Sequence, residues 1–300
     1  MESFGTVEDK SPKKHAKWFL LVTLCAVSAV ILYVVFVGTT SNVLTVAFLD
    51  VGQGDAIFIE APNGNQMLID AGSGKQVLRE LQNVMPFYDR SIDVVLATHP
   101  DKDHIGGMPA VLERFSVSQF IEPGVVTDSG TYMALLDLAK REGARHTLAR
   151  RGMKLFLDED VYFEILFPDR DVSGLETNTA SIVGKLVFGK TSFLLTGDSP
   201  QNIERYLTAL DGNPLVGGLD VDVLKAGHHG SKTSSAKEFV MLASPAFAVI
   251  SAGKDNTYGH PHKEVLETLQ SSGATILETG KGGMVVFKSD GNSLRILRGR

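Results

Sequence analysis

Ten residues, Thr98 to Gly107 (THPDKDHIGG), limit what this chain can fold into more than any other stretch. They follow the apolar run Ile92 to Ala97, which reads as a buried strand with no room for solvated charge. Two imidazoles and two carboxylates then arrive between His99 and His104. Such a cluster belongs at the carboxyl end of a strand, where open α/β sheets place their chemistry. Pro100 bends the chain after His99, so side chains close in sequence can turn toward one point. Imidazole with carboxylate suits Zn²⁺ or Mn²⁺ better than a soft metal. Without a metal, the segment would read as a solvated loop in which Asp103 caps a helix starting near Ile105.

The other histidines favour the metal. Of the 8 His, all but His15 and His146 fall into three short motifs, His99/His104, His228/His229 and His260/His262. The single Cys, Cys25, excludes intrachain disulfides and a cysteine-based zinc site. No Gly-x-Ser-x-Gly occurs, which disfavours a serine hydrolase. Gly72-Ser73-Gly74-Lys75 fails the phosphate-loop pattern, with Ile69 where its first Gly should be and Gln76 after the Lys.

The N-terminal residues form a separate unit. Residues 1–17 read as a polar, basic tail, with Met1 to Asp9 expected to be disordered. Trp18 to Val37 is an uncharged run long enough for one bilayer span, which needs about 20 apolar residues. Its length and the poor cleavage site at Val37-Gly38-Thr39 favour a retained anchor over a cleaved signal peptide. Lys10, Lys13, Lys14 and Lys17 on its N-terminal flank predict a cytoplasmic N-terminus, with everything after Gly38 outside the cytoplasmic membrane. Residues 38–42 are a short linker, and 43–300 are expected to form one domain.

Within that domain the strand signals come early and close together. Leu44 to Leu49, Ala56 to Glu60 and Gln66 to Ile69 are joined by tight turns, an antiparallel start unlike a Rossmann unit. The first turn, Asp50 to Asp55, is Gly-rich with an acid at each end, and the third strand runs into Asp70. Helices are expected over Gln76 to Met85, Met108 to Phe115, Tyr132 to Glu142, Gln201 to Leu210, Lys237 to Leu242 and Lys263 to Ser271. Further strands are expected over Ser118 to Ile121, Val161 to Phe167, Ser181 to Phe188, Thr191 to Thr196, Asp220 to Lys225 and Phe247 to Ser251. Thr275 to Glu278, Met284 to Phe287 and Leu294 to Leu297 close the fold. Two strand-rich halves, each closed by helices, suggest two packed sheets with helices outside. Arg141, Arg145, Arg150, Arg151 and Lys154 make a basic stretch that reads either as solvated surface or as a phosphate-facing patch. The net charge of −6 exerts no global pull on nucleic acid, so DNA binding would have to use such a patch.

These motifs carry a resemblance. His99-x-Asp101-x-Asp103-His104 is similar to the His-x-His-x-Asp-His signature of the metallo-β-lactamase superfamily, with Asp101 in place of the second His. The ordered set LDVGQGD (Leu49–Asp55), LIDAG (Leu68–Gly72), THPDKDHIGG, LLTGD ending at Asp198, HHGS (His228–Ser231) and YGHPH (Tyr258–His262) resembles one subgroup. That subgroup is the extracytoplasmic hydrolase domain of ComEC-type DNA-uptake competence proteins. The resemblance covers Val43 to Arg300. It implies a four-layer αβ/βα sandwich, here with one N-terminal transmembrane helix, and metals at the sheet edge. It also implies phosphodiester hydrolysis of DNA, with a membrane DNA-uptake channel protein as partner.

On that resemblance His99 and Asp101 hold a first divalent ion and Asp103 and His104 a second, with Asp198 bridging them. His228 or His229 completes the second set, and adjacent imidazoles leave that choice open. A further His ligand usual in the superfamily is replaced by Asn178. With Asp101 this makes the first site oxygen-rich, so Mn²⁺ becomes as plausible as Zn²⁺, for one or two ions. Asp103 is also expected to orient the attacking water. Asp70 is expected to support a metal-binding His by a hydrogen bond. Asn178, Ser231 and His260 are candidate donors to phosphoryl oxygens. The rivals are a hydrolase of a lactone, thioester or envelope phosphodiester, and a binding module with a decayed site.

Overall fold

Side-chain alternation along the strands decides where each layer packs. The computed structural model describes residues 1, 12–38, 42–212 and 218–298. The expected disorder of residues 2–9 and most of the expected linker lie outside the described residues. The chain divides into two units, Met1–Asn42 and Val43–Arg300. The first contains one helix, α1 (Pro12–Gly38). Its Ala16–Tyr33 segment has mean hydropathy 2.0 and none of it is buried within the protein. At about 1.5 Å per residue such a helix is long enough to cross a bilayer.

The second unit runs β1 (Leu44–Phe48), β2 (Ile57–Glu60), β3 (Gln66–Ile69), α2 (Gln76–Leu81), β4 (Ser91–Leu96), α3 (Lys102–Ile105), α4 (Met108–Leu112), β5 (Ser116–Glu122), α5 (Gly130–Arg141), β6 (Arg145–Leu148), β7 (Lys154–Phe156) and β8 (Val161–Phe167). It continues with β9 (Val183–Phe188), β10 (Thr191–Leu195), α6 (Gln201–Leu210), β11 (Val223–Lys225), α7 (Lys237–Ala243), β12 (Phe247–Ile250), α8 (Lys263–Ser271) and β13 (Thr275–Glu278). It ends with α9 (Thr279–Gly282), β14 (Val285–Ser289) and β15 (Leu294–Arg298). The first sheet has the order β15-β14-β1-β2-β3-β4-β5-β6, and the second β13-β12-β11-β10-β9-β8-β7.

On β1, Leu44, Val46 and Phe48 enter the core between the sheets, while Ala47 faces the helices outside. On β10, Phe193 and Leu195 point inward and Leu194 outward. This period of two builds a middle core from both sheets. Leu81, Val111 and Leu135 close the outer face of the first sheet with α2, α4 and α5. Leu207, Val240 and Leu269 do the same for the second sheet with α6, α7 and α8. The result is the expected four-layer αβ/βα sandwich.

Several boundaries differ from the sequence reading. The helix expected over Gln76 to Met85 stops at Leu81, and the one expected to reach Phe115 stops at Leu112. A separate short helix, α3, precedes Gly106 and Gly107. A Cβ at Gly107 would lie 2.1 Å from the carbonyl oxygen of Ala71, so only glycine lets these segments touch. Asp103 lies inside the first turn of α3, and Asp101 takes the capping position, so the expected cap near Ile105 is not formed. The basic stretch contains two strands not foreseen, β6 and β7. Both are edge strands, short and largely exposed, so no apolar alternation marks them. The closing strands also part company, β13 in the second sheet and β14 with β15 in the first.

Phe287 on β14 is fully buried and packs edge-on against Phe48 of its own sheet, ring centroids 6.0 Å apart. It packs equally against Phe193 of the opposite sheet at 5.7 Å. Replacing it with Ala leaves a cavity at the centre of the sandwich and should cost about 3–5 kcal/mol of stability. Urea unfolding of the variant, followed by tryptophan-independent far-ultraviolet circular dichroism, checks this.

Candidate metal centre

Parallel pairing brings the charged motifs to one edge. β3, β4 and β5 pair in parallel, as do β10, β11, β12 and β13. Within each set the carboxyl ends therefore share an edge. Asp70 follows β3, His99 follows β4, Asp198 follows β10, and His228 and His229 follow β11. The α3 helix then returns Asp103 and His104 toward the same point. The turn before Asp55 touches this segment directly. A Cβ at Gly54 would lie 2.0 Å from the carbonyl oxygen of Asp103, and Gly54 adopts φ +119. His228 and His229 both take positive φ, 48 and 55, which is uncommon for non-glycine residues and aims the two rings differently.

Hydrogen bonds decide which nitrogen each imidazole offers. Nδ1 of His104 lies 2.8 Å from Oδ2 of Asp70, so it donates and leaves the Nε2 lone pair free. Nδ1 of His229 lies 2.8 Å from the carbonyl oxygen of Ser251, with the same result. Thr98 Oγ1 donates to Asp70 Oδ2 at 2.7 Å and so accepts from Nδ1 of His99 at 3.0 Å. Three Nε2 atoms are thereby presented together. Those of His104 and His229 face one another at 3.3 Å. Lone pairs opposed so closely need a cation or a proton between them.

Carboxylates close this space. Asp198 Oδ1 is 3.3 Å from Nε2 of His104, and its Oδ2 is 3.3 Å from Nε2 of His229. Asp198 Oδ2 also lies 4.0 Å from Nε2 of His99, and Asp103 Oδ2 lies 3.3 Å from Nε2 of His229. Asp101 Oδ2 is 3.7 Å from Nε2 of His99. His99 Nε2 and Asp198 Oδ1 are buried without a hydrogen-bond partner. Orphaned acceptors and a buried Asp/His donor set fit a divalent ion.

Burial and charge act against each other here. Burial opposes charge on His104 and His229, but Asp198 with Asp70 or Asp103 outweighs it and raises both well above the ordinary histidine value. His99 is lowered by burial and by the neighbouring His104. Burial raises the Asp70 carboxyl, while His104 acts the other way. Asp198 is held well below the usual carboxylate range by His229 and His104 despite its burial.

The structure brings His99, Asp101, Asp103, His104, Asp198 and His229 together. His229 is the buried member of its pair, whereas His228 stands at the rim, with Nε2 3.6 Å from Asp198 Oδ2. The expected support from Asp70 goes to His104. His260 lies beyond His228, ring centroids 5.8 Å apart, and burial with that neighbour lowers its pKa to about 4. Ser231 is buried and accepts from Thr233 Oγ1 at 3.0 Å, and Thr233 in turn contacts Nδ1 of His228 at 3.0 Å. Asn178 begins a short 3₁₀ turn with its Oδ1 buried and unpartnered.

Two residues were missed from sequence. Asp55 and Lys225 are both buried and form an ion pair behind the imidazoles. By distance Asp55 joins His104, Asp198 and His229 in a group whose ligand atoms lie within 4.8 Å of one another. It lies near the Nδ1 atoms of the two histidines, 3.9 Å from that of His104 and 3.4 Å from that of His229. It thus lies against the Nδ1 side of both rings. The only sequence signal for the pair was the acid closing the Gly-rich turn and a Lys closing an apolar strand. Within the basic stretch several side chains have local partners, while Arg145 is exposed. Arg151 pairs with Asp169 at 3.2 Å, and Arg150 donates to the carbonyl oxygens of Pro123 and Ala149. Arg141 pairs with Asp137 at 2.5 Å and Lys154 with Glu164 at 3.4 Å.

Residues 49–254 match the family described as Metallo-beta-lactamase superfamily. The chain is 30% identical over 260 residues to ComE operon protein 3 of Bacillus subtilis, covering 81% of this chain and 33% of that protein. It is 33% identical over 198 residues to Competence protein ComA of Neisseria gonorrhoeae, covering 66% of this chain and 25% of that one. The chain thus spans a third or less of the length of these relatives. Among solved structures, the metallo-beta-lactamase fold protein YhfI from Bacillus subtilis superposes with a TM-score of 0.56 at 12% identity, covering 82% of this chain and 100% of YhfI. CmlA, a diiron beta-hydroxylase from Streptomyces venezuelae, gives 0.54 at 15% identity, covering 85% of this chain and 54% of CmlA. With the signature residues gathered at the sheet edge and the family match across most of the domain, the chain belongs to the metallo-β-lactamase superfamily.

Proposed function

We propose that this chain is a metal-dependent phosphodiesterase that cleaves DNA outside the cytoplasmic membrane, to which α1 anchors it. The observation that carries the hydrolytic reading is the opposed Nε2 pair of His104 and His229, closed by both oxygens of the buried Asp198. His99 and Asp101 would hold one divalent ion and Asp103, His104 and His229 a second, with Asp198 within reach of both sets. Ions held there supply the Lewis acidity and the activated water that phosphodiester cleavage needs. Two carboxylates, Asp101 and Asp198, beside a lone imidazole make the first position oxygen-rich and suit Mn²⁺ as well as Zn²⁺.

The protein's own groups supply the rest. Asp103, about a third exposed, stands where it can orient the nucleophile. His260 lines the rim as a candidate donor for phosphoryl oxygens, with Asn178 as a further candidate. Ser231 acts through Thr233 to hold His228. DNA as the substrate is supported by the motif set and by relatives named for competence and recombination. The same relatives support a DNA-uptake channel protein as partner. Arg150 and Arg151 are partly committed to Pro123, Ala149 and Asp169, which weakens them as DNA contacts.

Purified protein should contain up to two divalent ions, and a chelator should abolish hydrolysis. Asp198→Ala should lose more metal than any other single ligand variant, because it contacts both sets. Elemental analysis of the folded variant checks this, and full occupancy would reject the bridging role. The Mn²⁺-loaded chain should cut single- or double-stranded oligonucleotides. A loaded chain that leaves DNA intact but opens a lactone or an envelope phosphodiester would replace DNA as the substrate.

The basic flank before Trp18 supports a topology with the catalytic unit outside the cytoplasmic membrane. Alkaline phosphatase fused at the C-terminus should then be active, and a cytoplasm-dependent fluorescent reporter dark. The opposite pattern would invert the topology.

A further inference from the structure

Lys225 closes β11 with its side chain fully buried. Lysine is almost never fully buried unless paired, and a buried ammonium left alone is strongly destabilising. Its partners come from both sheets. Nζ contacts the Asp55 carboxylate, which belongs to the turn between β1 and β2 of the first sheet. It donates to the carbonyl oxygen of Gly197 at 2.9 Å and lies 3.7 Å from Oδ1 of Asp198, both of the second sheet. The Gly197 peptide immediately precedes Asp198, so the bond to it sets where that carboxylate starts.

Asp55 faces the two imidazoles from behind. Its oxygens lie 3.4 Å from Nδ1 of His229 and 3.9 Å from Nδ1 of His104, while Asp198 and Asp103 face the Nε2 atoms. Without Lys225, Asp55 would be a buried carboxylate free to draw a divalent ion toward the wrong side of both rings. A fixed positive charge there neutralises Asp55 and repels a second cation through a medium of low dielectric.

We propose that Lys225 is a positioning residue of the metal centre: paired with Asp55, its ammonium is a permanent internal cation that keeps divalent ions on the Nε2 side of His104 and His229 and fixes Asp198 between them. This rests on the metal-centre reading and goes beyond it, since neither residue is a ligand.

The test compares the full-length wild-type chain with Asp55→Asn and with the double variant Asp55→Asn/Lys225→Met, each in detergent micelles. The double variant removes both charges together, so neither is left buried and unpaired. Mn²⁺ affinity is read by titration calorimetry, the Co²⁺-substituted site by its visible absorption, and folding by near-ultraviolet circular dichroism. Both variants should stay folded, bind Mn²⁺ about 10- to 100-fold more weakly, and show an altered Co²⁺ spectrum. Wild-type affinity and an unchanged spectrum in folded variants would overturn the proposal and leave the pair as a structural bridge. If the double variant does not fold, Lys225→Gln decides instead by the same readouts, because it removes the ammonium while its amide can still donate to Asp55 and to the carbonyl oxygen of Gly197. A wild-type chain that takes up no divalent ion would overturn the metal centre and this proposal together.

Discussion

The carboxylate of Asp70 is the interaction on which the centre depends. It is fully buried and sits at φ 57, a conformation that turns it back beneath the end of the neighbouring strand. It accepts from the backbone and hydroxyl of Thr98 at 2.8 and 2.7 Å and from His104 at 2.8 Å. A carboxylate taken out of water is costly unless its oxygens are met in this way. Through these bonds one side chain ties the end of β3 to the end of β4 and to α3. It also settles the tautomers of two histidines, directly for His104 and through Thr98 for His99. The direction of the Nε2 lone pairs is therefore a property of the packed scaffold rather than of mobile side chains.

That scaffold is a sandwich whose two sheets share one aromatic centre. Phe48 and Phe287 from the first sheet meet Phe193 and Phe247 from the second. This packing has a functional consequence, because the centre draws residues from both sheets. Asp70, His99 and His104 come from the first, and Asp198, Lys225 and His229 from the second. A shift of one sheet over the other would separate Asp198 from His104, which stand 3.3 Å apart. Close-packed interiors resist such shifts, so the core also acts as the template for the site.

Charge is distributed in depth around the histidines. Asp103 and Asp101 are the partly exposed carboxylates, Asp198 lies at the centre, and Asp55 and Asp70 stand behind. Only one ammonium, that of Lys225, is set among them within the described residues. The excess of negative groups gives a cation a reason to enter, and the three oriented Nε2 atoms give it a place. The outer surface is organised differently, with Arg141 and Arg151 paired to carboxylates and Arg150 bound to main-chain oxygens.

Much of this was legible in the residues alone. The uncharged run before Gly38, the short apolar runs of β1, β2 and β3 with tight turns between them, and the charged motif at the end of β4 are local patterns, and local patterns survive folding. The ligand types followed from the same motifs, because chemistry at a strand end needs particular side chains at particular spacings. Tertiary structure decided what depends on distance through space. Whether His228 or His229 turns inward is set by two successive positive φ values and by the carbonyl of Ser251. The pairing of Asp55 with Lys225 joins residues far apart in the chain and on different sheets. The fate of Arg150 and Arg151 depended on edge strands too short and too exposed to carry a pattern. A sequence specifies which groups a strand presents and on which face, but only packing determines which of them meet. In a buried site the charge of each group is set by those it meets.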